Sequence, residues 1–216
     1  MEKGIFVTIE GCEGAGKSTQ AKLLADYLTA RGYQVLVTRE PGGTLIGEKI
    51  REILLDRNHS ELAPRVELLL YLASRSQLVS QVIKPALEAG KVVISDRFHH
   101  STLAYQGGAR ALDMPMVRRI NEFATEGTLP DITFLLDLPA EMGMERKGSF
   151  DDGDRMEGQG IEFHRKVRQA FLSLAGEEPE RVVVLDANQP AEKISASIIH
   201  HIQVLLDKLS PGIGSG

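Results

Sequence analysis

Gly11, Gly16, Lys17 and Ser18 occupy the fixed positions of GxxxxGK[ST] within the run GCEGAGKST, Gly11 to Thr19. That spacing has a definite chemical use. The glycines let the chain curl so that the backbone N–H groups of Gly11, Cys12, Glu13, Gly14, Ala15, Gly16, Lys17, Ser18 and Thr19 turn toward phosphate oxygens, and the helix that follows adds its positive end. Lys17 then reaches the β- and γ-phosphates, and the Ser18 hydroxyl a magnesium ion. A glycine-rich turn without a ligand would match the same letters, so the context matters. Ile5 to Ile9 reads as a short buried strand, and Ser18 to Ala30 carries apolar residues at helical spacing. The motif therefore names a bound group, a nucleoside di- or triphosphate, and leaves the reaction open.

A second set of residues suits a second phosphate. Asp96 closes the hydrophobic run KVVIS and Arg97 follows it. A carboxylate there can orient magnesium or its water, and an arginine can grip phosphate oxygens with two parallel bonds. Asp137 and Asp186 also end strands and compete for the metal role, though neither has an adjacent arginine. Arg39 and Arg51 flank the loop Arg39-Glu40-Pro41-Gly42-Gly43, and Arg75 and Arg97 converge with them if the long helix passes beneath the same rim. Arginines gathered in one cleft of an acidic chain make sense where phosphate groups of two reactants must meet; solvated surface arginines are the plain alternative. Tyr71 and Arg75 share a helical face, which suits stacking on a base beside a forked donor, or ordinary packing with a snorkelling arginine. Lys147 to Gly160, KGSFDDGDRMEGQG, is too polar for a core. It reads as a lid that brings Arg146, Lys147 and Arg155 to a transferred phosphoryl group, or as a solvated loop carrying Asp151, Asp152 and Asp154.

The elements that must position these residues can be placed from pattern. Strands are expected at 5–9, 34–38, 91–95, 132–136 and 182–185. Helices are expected at 18–30, 45–55, from Pro64 to near Gly90 with Leu68, Leu69, Leu72 and Val79 buried, and at 99–105, 114–125, 139–145, 161–174 and 191–209. Alternation of strand and helix predicts an α/β fold, a parallel sheet with helices on both faces. Ligands then bind beyond the carboxyl ends of the strands, so loops 11–18, 39–43, 96–100 and 137–139 should share one rim.

Length and composition agree with a single enzyme-sized domain over 1–209, followed by a tail, 210–216, with the composition of a disordered end. With 216 residues, 42% hydrophobic and 25% charged, the chain can bury a core without staples. A net charge of −5 argues against a nucleic-acid partner. The single cysteine, Cys12, excludes an intramolecular disulfide and suggests a reducing compartment. No apolar run approaches the length of a membrane span, and the first strand begins too early for a signal peptide, so a cytoplasmic location is expected. The histidines show no HExxH spacing and no cysteine pairs accompany them, so no structural zinc is expected.

Taken in order, EGCEGAGKST, REPGG, YLASR, DRFHHSTLAYQGG, the DRxE of Asp154 to Glu157 and the late DANQP closely resemble the thymidylate kinases over nearly the full chain. The resemblance implies a P-loop nucleoside-monophosphate-kinase fold with a five-stranded parallel sheet, transfer of the ATP γ-phosphoryl group to dTMP, a requirement for Mg2+, and a homodimer. Carried over by position, Lys17 and the loop amides hold ATP and Ser18 the metal. Glu13 meets the deoxyribose 3′-hydroxyl, and Glu10 is a strand-end glutamate typical of the family. Tyr71 lies under the thymine ring where phenylalanine is usual, and Arg75 binds the base carbonyl. Arg39 and Arg97 grip the dTMP phosphate, Pro41 touches the 5-methyl group, Thr102 and Gln106 lie near the base, and Tyr105 disfavours a ribose 2′-hydroxyl. An acidic loop residue, Glu13, with Arg146 and Arg155 in or beside the lid matches the bacterial arrangement, although this lid has fewer arginines and more aspartates than is common. A kinase for another monophosphate or a deoxynucleoside is the nearest alternative. A nucleotide-dependent switch is a more distant one, since the chain has no NKxD element.

Overall fold

The computed structural model describes residues 4–148 and 153–209. Asp151, Asp152 and the tail 210–216 lie outside the described residues, as does part of the lid segment.

The strands are β1 (Ile5–Gly11), β2 (Val35–Arg39), β3 (Val92–Asp96), β4 (Ile132–Asp137) and β5 (Val182–Asp186). They form one parallel sheet in the order β2-β3-β1-β4-β5. The helices are α1 (Lys17–Thr29), α2 (Leu45–Leu55), α3 (Pro64–Leu78), α4 (Lys84–Glu88), α5 (His99–Thr102), α6 (Met114–Thr125), α7 (Ala140–Lys147), α8 (Ile161–Glu177) and α9 (Ala191–Leu209). A π-helical stretch, Val79–Ile83, joins α3 to α4, and another, Leu103–Ala109, extends α5. The expected elements are all present, with ends shifted by one to a few residues, the usual ambiguity where a helix frays or a strand stops pairing.

Side-chain alternation decides what each strand contributes to each face. Val7, Ile9, Val92, Ile94, Phe134 and Leu136 bury against α1 and α9, where Ala21, Leu24, Leu28, Ile194, Ile198 and Ile202 complete the layer. Phe6, Val93 and Phe98 point the other way, onto Leu78, Val79 and Ile83. On that second face β1 also places Thr8, bonded to Thr133 at 2.8 Å, and then Glu10. The expected apolar stripe of α3 is corrected at one position. Leu68 and Leu72 are buried, but Leu69 is 60% exposed, because one residue along a helix rotates the side chain about 100° off the buried face.

Candidate active site

Register brings the two phosphate-handling motifs together. Ile9 of β1 lies opposite Asp96 of β3, and the Arg97 N–H continues the ladder to the Ile9 carbonyl at 2.9 Å. The loop after β1 and the Asp-Arg turn after β3 therefore leave the sheet side by side. Asp96 comes within 2.5 Å of the Ser18 hydroxyl at the start of α1. Two hard oxygen donors at that spot fit a magnesium ion. Asp137 and Asp186 are engaged elsewhere: Arg168 grips Asp137 with bonds of 2.7 and 2.9 Å, and Asp186 accepts the Asn188 N–H at 2.9 Å. Of the three strand-end aspartates, Asp96 is thus the one that lies beside the Ser18 hydroxyl.

Arg97 has a positive φ of 71°, a conformation that costs a non-glycine residue energy and that surrounding contacts must enforce. Glu10 supplies them. Its carboxylate accepts the Phe98 N–H at 2.8 Å and the Ser101 N–H at 3.1 Å, capping the first turn of α5 from a neighbouring strand, and the Ser101 hydroxyl at 2.5 Å. The Arg97 guanidinium donates to the Gly11 carbonyl at 3.0 Å and pairs with Glu13. Tyr105 donates its hydroxyl to the same Glu13 oxygen at 3.2 Å, and Lys147 lies 3.5 Å from the other. Burial alone would raise the Glu13 pKa, but Arg97, then Lys17 and Lys147, outweigh it and hold the carboxyl well below its usual range. Lys17 donates to the Cys12 carbonyl at 2.8 Å, and burial, reinforced by Arg97, lowers its pKa. Burial pushes the Cys12 thiol up to about 11, which keeps it protonated and unreactive.

A cavity of about 450 Å³ runs along this rim. The loop residues Glu13, Gly14, Gly16, Lys17, Ser18 and Thr19 line one part of it. Arg39, Pro41, Arg51, Tyr71, Arg75, Asp96, Arg97, Thr102, Tyr105, Gln106 and Arg146 are among the residues that line the rest, with Lys147, Asp154, Met156 and Glu157 from the lid segment. Gly11, Cys12 and Ala15 belong to the loop but do not face the cavity, and Cys12 and Ala15 pack into hydrophobic clusters. Arg39 is paired with Glu48 at 2.8 Å and remains half exposed at the mouth. Arg51 ties the Arg39–Gly43 loop down through the Pro41 carbonyl at 2.9 Å.

Arg75 is held more tightly than its spacing from Tyr71 suggested. It is 1% exposed, and its five N–H groups are committed to Glu40, Thr102, Asn121 and the Phe98 carbonyl. A base edge meets this guanidinium only by replacing one of those partners.

Arg155 does not face the cavity. Its Nε donates to the Leu54 carbonyl at 2.8 Å and its Nη1 lies 2.7 Å from Glu67. Arg146, on α7, reaches over the phosphate loop instead, with Nη1 3.0 Å from the Ala187 carbonyl and 3.5 Å from that of Gly14. Two buried acids, Glu40 and Glu67, were missed from sequence as parts of the site. Glu67 is completely buried and also accepts from Gln106 at 2.9 Å and Arg110 at 3.1 Å, so it orients a cavity-lining amide. A signal for it existed: Glu67, Tyr71 and Arg75 recur every fourth residue on one face of α3.

Comparison with known proteins follows the same lines as the geometry. The family model described as thymidylate kinase matches residues 9–198. A thymidylate kinase of Desulfovibrio desulfuricans is 47% identical, the match covering 97% of this chain and all of the relative. One of Deinococcus radiodurans is 48% identical, covering 92% of this chain and 96% of the relative. The crystal structure of a thymidylate kinase from Ehrlichia chaffeensis superposes with a TM-score of 0.75 at 35% identity, covering 93% of this chain and 99% of that one.

Proposed function

The chain belongs to the thymidylate kinase family, and on that premise we propose that its cavity transfers the γ-phosphoryl group of ATP to the phosphate of dTMP, yielding ADP and dTDP. One observation carries the reading: Glu13 of the phosphate loop is paired with Arg97 of the Asp-Arg turn, so the donor and acceptor halves of the site share a wall.

The donor side is the loop from Gly11 to Thr19, whose amides and Lys17 hold the ATP phosphates. Ser18 and Asp96 hold Mg2+, which when bound neutralises phosphate charge as phosphate-bound metals do. Arg97, with Arg39 at the mouth, receives the acceptor phosphate. Tyr71 supplies an aromatic face for the base, Pro41 and Gln106 its edges, and Tyr105, anchored to Glu13, crowds the sugar position. Thr102 reaches the base region through its contact with Arg75. The attacking phosphate oxygen is already anionic, so no strong general base is needed, and rate comes from placement and charge neutralisation. Arg146 and Lys147, which face the cavity, are better placed than Arg155 to supply lid-side charge. Arg155 acts as the latch that fixes the second half of the lid segment to the end of α2 and to α3.

Residues 1–209 act as one kinase domain. The homodimer is assigned to the surface of α3 and of α2 and α6, each of which packs on α3; these helices expose Leu45, Ile46, Val66, Leu69 and Phe123. Among the described residues no helix is long and apolar enough to cross a membrane. With a single buried thiol and nucleotide substrates, the cytoplasm is the fitting location. A coupled ADP-release assay with ATP and a panel of dTMP, dUMP, dCMP and UMP tests the assignment. dTMP should turn over fastest and UMP slowest; faster turnover of UMP than of dTMP would refute the acceptor assignment.

A further inference from the structure

We propose that His99, His100 and Glu178 form a binding site for a divalent transition metal of the zinc class, separate from the nucleotide cleft. One ligand atom from each residue lies within 4.8 Å of the others. His99 and His100 open α5, and Glu178 directly follows α8, so the cluster bridges two elements distant in the chain.

Three features favour a metal over a simple ion pair. First, both imidazoles are buried, at 5% and 2% exposure, yet Nδ1 of His99 and both ring nitrogens of His100 have no hydrogen-bond partner among the described residues. Buried polar atoms are nearly always partnered, and these belong to the side chain most often found on metals. Second, one separation in the cluster already matches coordination, and small side-chain rotations would bring the third ligand atom to the same point. His100 Nε2 stands 3.5 Å from Glu178 Oε1. That is beyond the range of a good hydrogen bond, but two donors on a tetrahedral zinc, each at about 2.0–2.1 Å, are separated by roughly 3.3 Å. Third, the outer contacts leave the right atoms available. Arg181 binds Glu178 through Oε2 only, which leaves Oε1 for the cluster and fixes the carboxylate as an outer partner would. Glu178 is 24% exposed, which leaves room for a water as fourth ligand.

The rings of His99 and His100 are 3.9 Å apart between centroids and tilted by 41°, and must splay slightly to direct one nitrogen each at a common point.

A metal here would act on stability. The His99 carbonyl accepts from Asn121 at 3.1 Å, and Asn121 also accepts from Arg75, so the site pins the start of α5 against the turn between α8 and β5, behind the Asp-Arg motif.

The test uses the purified, metal-stripped full chain with Zn2+ alone, and with Co2+ as a spectroscopic probe. One equivalent of Co2+ should give the visible absorption of a low-symmetry, four-coordinate ion. Zn2+ at a hundredfold excess over its Kd should raise Tm by roughly 5–10 °C. Glu178→Gln, at a partly exposed position that tolerates the change, and His100→Asn should each weaken binding at least tenfold and remove the Tm rise, while phosphoryl transfer in excess Mg2+ remains. Circular dichroism of the apo variants shows that they are folded. Absence of stoichiometric binding by the unsubstituted chain overturns the proposal, as does binding that neither substitution weakens, which would place the metal at Ser18 and Asp96 or on surface histidines.

Discussion

Nη1 of Arg155 lies 2.7 Å from the carboxylate of Glu67, a residue with no exposed surface. The Arg155 N–H also donates to the Leu55 carbonyl at 3.0 Å. An arginine in the lid segment is thus turned inward, and what looked like a cation over the cleft is a tether between that segment, the end of α2 and the face of α3 that carries Tyr71 and Arg75. Arg146, nine residues earlier in the sequence, faces the cavity instead.

The two arginines should therefore fail differently. Arg146→Ala should lower kcat by roughly 10²–10³-fold, as removal of a donor to a developing charge does, with little change in Tm. Arg155→Ala should cost about 2–3 kcal/mol from lost charge-assisted bonds to a buried carboxylate, with kcat falling by less than about tenfold. Steady-state kinetics and thermal melts on both variants decide it. A larger kcat loss in Arg155→Ala than in Arg146→Ala would return Arg155 to the chemistry.

Glu67 should also make stability depend on acid. Burial opposes its charge, but hydrogen bonds from Arg110, Gln106 and Arg155 outweigh this and lower its pKa below 4.5 in the folded state. Below pH 4.5 the unfolded chain then binds more protons at this residue than the folded one. The stabilisation it gives is present above that pH and is lost as pH falls toward the folded pKa. Glu67→Gln should lose about 3–5 kcal/mol at neutral pH, where the buried Arg155 and the partly buried Arg110 lose their counter-charge, and should show a shallower fall of Tm between neutral pH and about pH 3.5. Parallel acid slopes in the two proteins would show that another carboxylate governs the transition.

Lys17 presents the opposite balance between stability and chemistry. It is 7% exposed, burial lowers its pKa, and its Nζ has one backbone partner, the Cys12 carbonyl. Glu13 and Asp96 offset its charge only in part, as expected where phosphates supply the rest. Lys17→Ala should lower turnover by at least roughly 10³-fold while Tm of the nucleotide-free protein stays level or rises. Near-normal transfer from ATP to dTMP in this variant would refute the mechanism.

Much of this was legible in the sequence, for reasons that differ from residue to residue. Gly11 to Ser18 is readable because the phosphate loop needs particular residues at fixed spacing, and Asp96 because it ends a run of β-branched residues. The shared rim follows from the carboxyl-end rule for parallel sheets. What stayed hidden depends on contacts across long separations. Nothing local marks Glu10 as the cap of α5, since its partners Phe98 and Ser101 lie about ninety residues away. The inward turn of Arg155 is set by Glu67 and the Leu54 carbonyl, neither of them near it in the chain. For Leu69 the helical period was sound but the phase was ambiguous, because Leu68, Leu69 and Leu70 are all apolar and only packing shows which faces inward.

The closest backbone approach in the site gives a steric test. Gly14 of the phosphate loop and Gly143 of α7 are packed so closely that a Cβ on Gly143 would lie 2.3 Å from the Glu13 carbonyl oxygen, well inside van der Waals contact. Neither partner is the end of a flexible side chain, so the loop or the helix must move. Gly143 has ordinary helical geometry, and at an unhindered helical position a glycine-to-alanine change stabilises by about 1 kcal/mol. Gly176 in α8, where an added Cβ meets nothing within 4 Å, is such a position and serves as control. Gly176→Ala should raise Tm by about 2–4 °C with kinetics unchanged. Gly143→Ala should lower Tm despite the same gain in helix propensity, since the displaced backbone costs about 1–3 kcal/mol. It should also raise KM for ATP several-fold more than KM for dTMP, because the shifted segment is the one whose amides bind the donor phosphates. A Gly143→Ala protein as stabilised as Gly176→Ala, with unchanged KM for ATP, would mean that α7 can retreat freely and does not position the phosphate loop.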